Sequence, residues 1–162
     1  MWVLSDIDSS LESGRLGVGD IVDIPAVLRN RRAPCPEVIS DIEEFDITTV
    51  IGGGGNKVFV AEFSGGSTAI IGDSEIQKFE RSRIRGYLIW DPYWYANYIG
   101  ESSFSPHLHV KIEEIAVVTF GDDRRFVPQG AFSRFSEIDE YVKKTGEGFS
   151  YRCMRITLMP RR

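Results

Sequence analysis

Apolar and polar residues alternate through the middle of the chain, the pattern of half-buried strands. From residue 47, ITTVI, GGGGN and KVFVAEF read as strand, turn, strand, and SGGS leads into a third strand, TAIIGD. Side chains on a strand alternate between two faces, and glycines supply the positive φ that tight reversals need. IRGYLIW, HLHVKIEEIAVVTF (one long strand or a strand pair) and the closing SYRCMRITLM are further segments rich in β-branched residues. GDIVDIPAVL (19–28) predicts a strand that Pro25 interrupts or confines to an edge. In NRRAPCPE the prolines forbid regular pairing.

Helical spacing is clearest in SEIDEYVKKTG (136–146), where Phe135, Ile138, Tyr141 and Val142 form one apolar stripe. Ser136 is the expected N-cap, Asp139 completes a capping box, Lys143 and Lys144 sit at the negative end of the dipole, and Gly146 stops the helix. SDIDSSLES (5–13) predicts a short helix capped by Ser5, and SEIQKFERS one helical turn or two. Strands do not alternate with long helices, which argues against a doubly wound nucleotide fold. The expectation is one globular domain over residues 1–162, α+β to mainly β. Its frame is an antiparallel sheet or open barrel, with one helix at about 136–146 packed on it.

Composition adds limits. At 162 residues folding can bury roughly 70% of the chain's surface. The longest apolar run, near IAVVTF, is far short of the roughly 20 residues that span a bilayer. The opening MWVLSDIDSS has no basic stretch resembling a secretion signal, so a cytoplasmic location without membrane association is expected. Two cysteines, Cys35 and Cys153, fit two free thiols in a reducing compartment, with one bridge arithmetically open. They are too few for a zinc ribbon.

Charge is unevenly spread around the net −5: residues 1–80 carry 14 acids and 6 bases, residues 81–162 carry 10 acids and 13 bases. EVISDIEEFD (37–46) holds five acids and no base. Such a face would steer a basic partner inward and repel nucleic acid, unless it serves only as a solvated surface. WDPYWYANY (90–98) packs five aromatic residues into nine positions. Trp90 is expected to end a strand and point into the core. Asp91-Pro92 favours a turn, leaving Tyr93, Trp94, Tyr95 and Tyr98 in a surface connection, either as binding anchors or as a cap over the sheet.

SPHLHVKIEE carries the most suggestive chemistry. On a strand His107 and His109 share a face, where one divalent first-row metal could engage both, with Glu113 or Glu114 as the acid if the chain reverses between them. The spelling partly resembles the first motif of the cupins, small β-barrels of which many bind a metal. Gly100 precedes His107 by six residues, where the family has five; His109, Glu114 and Gly121 follow at family spacing. VPQGAFS offers the Pro128 and Gly130 of the second motif but has Ser133 at the histidine position, and GDIVDIPA echoes the same motif with Asn30 there. The resemblance implies a metal held by His107, His109 and Glu114.

Other signals are weaker. GGGGN lacks the Gly-Lys-Ser/Thr ending and following helix of a phosphate loop, so a hairpin turn is expected. No serine lies in a Gly-x-Ser-x-Gly elbow. The adjacent acids Glu43–Glu44, Glu113–Glu114 and Asp122–Asp123 should face opposite ways on strands.

Three functions follow. The first is a non-enzymatic cytoplasmic protein-binding module without catalytic residues or cofactor. It would be steered by Asp41, Glu43, Glu44 and Asp46 and anchored by Tyr93, Trp94, Tyr95 and Tyr98. In size and acidity it looks like the immunity proteins that neutralise toxins, with a basic toxin or nuclease as partner. The second is a cupin-like metal-dependent enzyme or metal- and ligand-binding barrel. The third, disfavoured by the net charge, is a nucleic-acid binder using Arg81, Arg83 and Arg85 beside the aromatics.

Overall fold

The glycine-punctuated alternation builds the hairpins it predicts. A computed structural model describes residues 1–5, 15–30, 41–100, 105–120, 126–145 and 151–161. Among these, ten strands occur in chain order: β1 (Trp2–Ser5), β2 (Ile21–Ile24), β3 (Val27–Asn30), β4 (Asp41–Ile51), β5 (Lys57–Glu62), β6 (Thr68–Ile71), β7 (Arg81–Trp90), β8 (Leu108–Phe120), β9 (Phe126–Phe132) and β10 (Tyr151–Leu158). Two short helices are added, α1 (Pro92–Ile99) and α2 (Ser136–Thr145). The fold is mainly β.

All ten strands join one sheet in the order β2-β8-β10-β1-β7-β3-β6-β5-β4, with β9 also on β8 and β4 also on β7. Most neighbours are antiparallel, but β1 runs parallel to β7 and β3 parallel to β6, which makes the sheet mixed. β4 lies along β7 from Asp41 to Asp46 and along β5 from Asp46 to Ile51. The strands β7, β3, β6, β5 and β4 thereby curve into a partial ring, not the closed barrel that a cupin resemblance implies. Pro25 stands where the chain changes neighbours: β2 before it pairs with β8, and β3 after it pairs with β6 and β7.

One face of the sheet carries the main core, with Ile24, Leu28, Ile42, Phe45, Leu88, Val110, Ile112 and Met154 all buried. Ile138 of α2 and Phe135 just before the helix seal against it, and the half-buried Tyr141 packs beside them, as the apolar stripe predicts. Ser136, expected as N-cap, is instead the first helical residue. Glu137 reaches back beyond the helix start and accepts the Ser133 N–H at 3.0 Å.

Two other expectations are corrected and a third is narrowed. Ser5, expected to cap a helix over 5–13, is the buried last residue of β1, and residues 6–14 lie outside the described residues. The β-region begins at Asp41 instead of residue 47, because a bulge between Ile42 and Phe45 lets both point inward although they are three apart. SEIQKFERS contains one 3-10 turn, Ile76–Lys78.

Candidate functional site

The aromatic stretch is a helix and not an irregular connection. Pro92 occupies its first position, where a missing N–H costs nothing and the fixed φ is already helical. Tyr95, Tyr98 and Ile99, at helical spacing, pack on Val27, Val58 and Ile70 on the sheet face away from the main core. The Tyr95 hydroxyl meets Ser105 Oγ at 3.0 Å, and burial pushes its pKa up, the Ser105 hydrogen bond opposing the shift. Gly100, with φ +55°, ends the helix in the left-handed region. Of the proposed anchors, Tyr95 and Tyr98 are therefore half-buried packing groups, whereas Tyr93 is 79% exposed. Trp94 lies on the helix, its side chain outside what is described. Trp90 ends β7 and packs on the main core, as expected.

The GGGGN stretch explains how α1 is seated. It is the β4–β5 hairpin turn, closed by the Gly52 N–H donating to the Asn56 carbonyl at 2.7 Å. A Cβ on Gly53 would lie 2.8 Å from Gly100 Cα and 3.3 Å from the Ile99 carbonyl. The glycines thus permit a backbone-to-backbone approach between the hairpin and the end of α1.

The acidic stretch meets bases that were sought elsewhere. Arg81, Arg83 and Arg85 are exposed at alternate positions along β7, and β4 lays Asp41 opposite Arg85 and Asp46 opposite Arg81. Asp46 Oδ1 accepts from Arg81 Nε at 2.8 Å, and this bond, with Glu44 nearby, raises the Arg81 pKa. Glu44 and Asp46 are exposed; Asp41 and Glu43 are placed by the strand alone. The acids do not form an isolated negative face, since a row of arginines runs beside them. Asp46 sits beside Arg81, at the opposite end of β7 from Trp90, after which α1 begins.

The two histidines converge on an acid that sequence reasoning missed. His109 on β8 is the register partner of Asp23 on β2. Its Nδ1 lies 2.8 Å from Asp23 Oδ1, while His107 Nε2 lies 3.5 Å from Asp23 Oδ2. Their backbone N–H groups donate to Thr68 Oγ1 and Ser67 Oγ at 3.1 and 3.0 Å, which pins this end of β8 to the β5–β6 turn. On the other side, Met159 N–H donates to the His109 carbonyl and Arg161 N–H to the Gly65 carbonyl. Together Ile21, Asp23, His107, His109, Met159, Pro160 and Arg161 line an open depression of about 670 Å³. Spacing gave no hint of Asp23, which lies 86 positions from His109; only β2–β8 pairing joins them.

Glu114 is not brought to this cluster. The chain does not reverse between His109 and Glu114: β8 runs through both, carrying Glu114 roughly 16 Å along the strand. There Glu114 Oε1 accepts from Arg155 Nη2 at 2.9 Å and raises the Arg155 pKa. Glu113 and Glu114, expected on opposite faces, turn to the same one, because the strand bulges opposite Arg155 and Ile156. Glu113 accepts from the Thr157 hydroxyl at 3.1 Å. Each acid already has a partner, which gives no reason to read them as an acid/base couple. Among the described residues, no three His, Cys, Asp or Glu side chains are grouped so as to hold one metal ion.

Cys153 is a free thiol with no exposed surface, and burial pushes its pKa up to about 12, beyond the range of a nucleophile at neutral pH. Cys35, Gly121, Asp122 and Asp123 lie outside the described residues. No described helix is long and apolar enough to cross a membrane. No protein-family model, no curated protein and no solved structure matches this chain.

Proposed function

We propose that this chain is a non-enzymatic binding protein whose partner is another protein, engaged through the outer side of α1. The observation that carries the reading is Tyr93, 79% exposed on a helix whose Tyr95 and Tyr98 are committed to packing. A large ring presented from a rigid support contributes interface area at little entropic cost. Glu44 and Asp46 would act as an outlying charged rim. The arginine row beside them moderates any attraction for a basic partner, so the rim should affect association rate more than affinity. The specific form proposed is a cytoplasmic immunity-type protein blocking a basic toxin, supported by the net −5.

The test is cross-linking in the native cell to identify the bound protein, followed by calorimetry and stopped-flow kinetics with purified components. Tyr93→Ala is expected to weaken binding about 10- to 100-fold, as truncation of an interface anchor does. Glu44→Lys should slow association from a basic partner and flatten its salt dependence. Affinity within twofold of the native protein for Tyr93→Ala would reject α1 as the binding face.

A further inference from the structure

β2 ends the strand order of the sheet, and its neighbours decide which of its backbone groups stay unpaired. Ile112 of β8 accepts from the Gly19 N–H and donates to the Asp20 carbonyl, whereas the His109 carbonyl turns the other way and accepts from Met159. Alternate residues of β8 therefore face β2, and Val110, two before Ile112, bonds its register partner Val22. Ile21 and Asp23 stand opposite Lys111 and His109, so their N–H and carbonyl groups point outward, where among the described residues no group meets them.

Natural sheets guard such an edge with lysine, proline, a bulge or a projecting charge. Asp23, the one charged residue of β2, is instead drawn back toward β8, with His109 Nδ1 at 2.8 Å and His107 Nε2 at 3.5 Å. The edge presents apolar surface: Ile21 is 53% exposed, and Val18, 48% exposed, stands in the turn that Gly17 and Asp20 close.

We propose that β2 is the interface for a second copy of this chain, the two strands pairing antiparallel across a two-fold axis at Val22. The register follows from the outward groups. Centred on Val22, Ile21 of each copy faces Asp23 of the other, and both pairs exchange N–H···O=C bonds. Centred on Ile21, Asp23 would face Gly19, whose N–H is already given to Ile112. Centred on Asp23, like charges would stand directly opposite, and Ile21 would face Pro25, which has no N–H. The Val22 register also sets Asp20 against Ile24, so no two acids meet. It brings together the half-buried Val22 side chains and so extends the main core across the axis. The interface uses no residue of α1. A strand of four residues buries less than the roughly 1,200 Å² of stable interfaces, so the dimer is weak.

Sedimentation equilibrium of the whole protein between about 10 µM and about 1 mM tests this. The average mass should rise toward twice the chain mass at the upper end. Ile21→Pro removes an outward N–H and no β2–β8 bond, and should stay monomeric throughout. Ile21→Lys changes only an exposed side chain and should weaken dimerisation at least tenfold; circular dichroism establishes that both variants are folded. In a Cys35→Ser background, mild oxidation should link Val22→Cys to itself. Facing residues at such non-hydrogen-bonded positions have Cα atoms about 4.5 Å apart, within disulfide reach. Asp20→Cys, which faces Ile24, should not link. A native protein monomeric at the top of the range would overturn the second copy as occupant, including the case in which an extended segment of another protein takes the edge. A native dimer undiminished in both folded Ile21 variants would overturn β2 as the interface. Linking of Asp20→Cys in place of Val22→Cys would overturn the register.

Discussion

Replacing Gly53 by alanine should loosen α1 without touching any residue of the helix. The added Cβ would meet Gly100 Cα at 2.8 Å and the Ile99 carbonyl at 3.3 Å, both backbone atoms that cannot swing aside. Ordinary contact begins near 3.4 Å, so the hairpin and the helix end must separate by about half an ångström or more. Forcing a methyl group into a packed contact costs roughly 1–3 kcal/mol. If α1 undocks altogether, the loss of Ile99 burial alone is of similar size, about 1.5–3 kcal/mol. Gly55→Ala provides the comparison, because its Cβ would meet nothing within 4 Å while φ there is +78°. That substitution should cost about 1 kcal/mol for left-handed backbone and leave the helix docked. Urea denaturation measures both losses, and amide hydrogen exchange locates them. Gly53→Ala should shed protection across residues 92–99, while Gly55→Ala should not. Native-like protection of α1 in Gly53→Ala, with a stability change under about 0.5 kcal/mol, would refute the view that backbone contact seats the helix.

Other outcomes follow from the packing and the electrostatics. Ile138→Ala, which opens a cavity where α2 seals the main core, should lower stability by about 2–5 kcal/mol in a denaturant titration. Glu137→Ala removes the acceptor of the Ser133 N–H and should cost about 1 kcal/mol, read in the same way. The Cys153 thiol keeps its proton in the folded state up to about pH 12, against 9.0 for the solvent-exposed thiol of an unfolded chain. Between those values the unfolded chain binds fewer protons than the folded one. Its contribution to stability is therefore intact below about pH 9 and falls by roughly 1.4 kcal/mol per unit above it. Denaturation midpoints from pH 8 to 11 should decline more steeply for the native protein than for Cys153→Ala. A thiol reagent should likewise label Cys153 only as fast as the protein opens.

The antiparallel hairpins were legible because local alternation and glycine-rich turns point to the same structure, as the series β4, β5, β6 illustrates. The start of β4 was not, since the bulge at Ile42 and Phe45 breaks the period of two that identifies a strand. α1 left usable signals: proline at the first position, Tyr95, Tyr98 and Ile99 at helical spacing, and glycine after the end. They were outweighed by aspartate-proline, which reads equally well as a turn. The parallel pairs β1–β7 and β3–β6 leave no local trace, because among the described residues no crossover helix of the usual kind announces them. The same limit governs the histidine cluster. Two of its members stand in one tripeptide and were found at once, but Asp23 and Met159 arrive through pairing and a tail segment. Arg155 claims Glu114, the acid at cupin spacing from His109, and a bulge re-aims it.

β1 has consequences for synthesis of the chain. Val3 pairs opposite Leu88 on one side, and Leu4 opposite Cys153 on the other. At ribosomal rates the wait from Leu4 to Cys153 is roughly 7–30 s. Until β7 emerges, an apolar ribbon destined for the middle of the sheet has neither edge covered, and until β10 emerges one edge stays open. Nascent chains halted shortly before Cys153 should therefore be good clients for hydrophobic-segment chaperones, and release of the last strand should end that dependence.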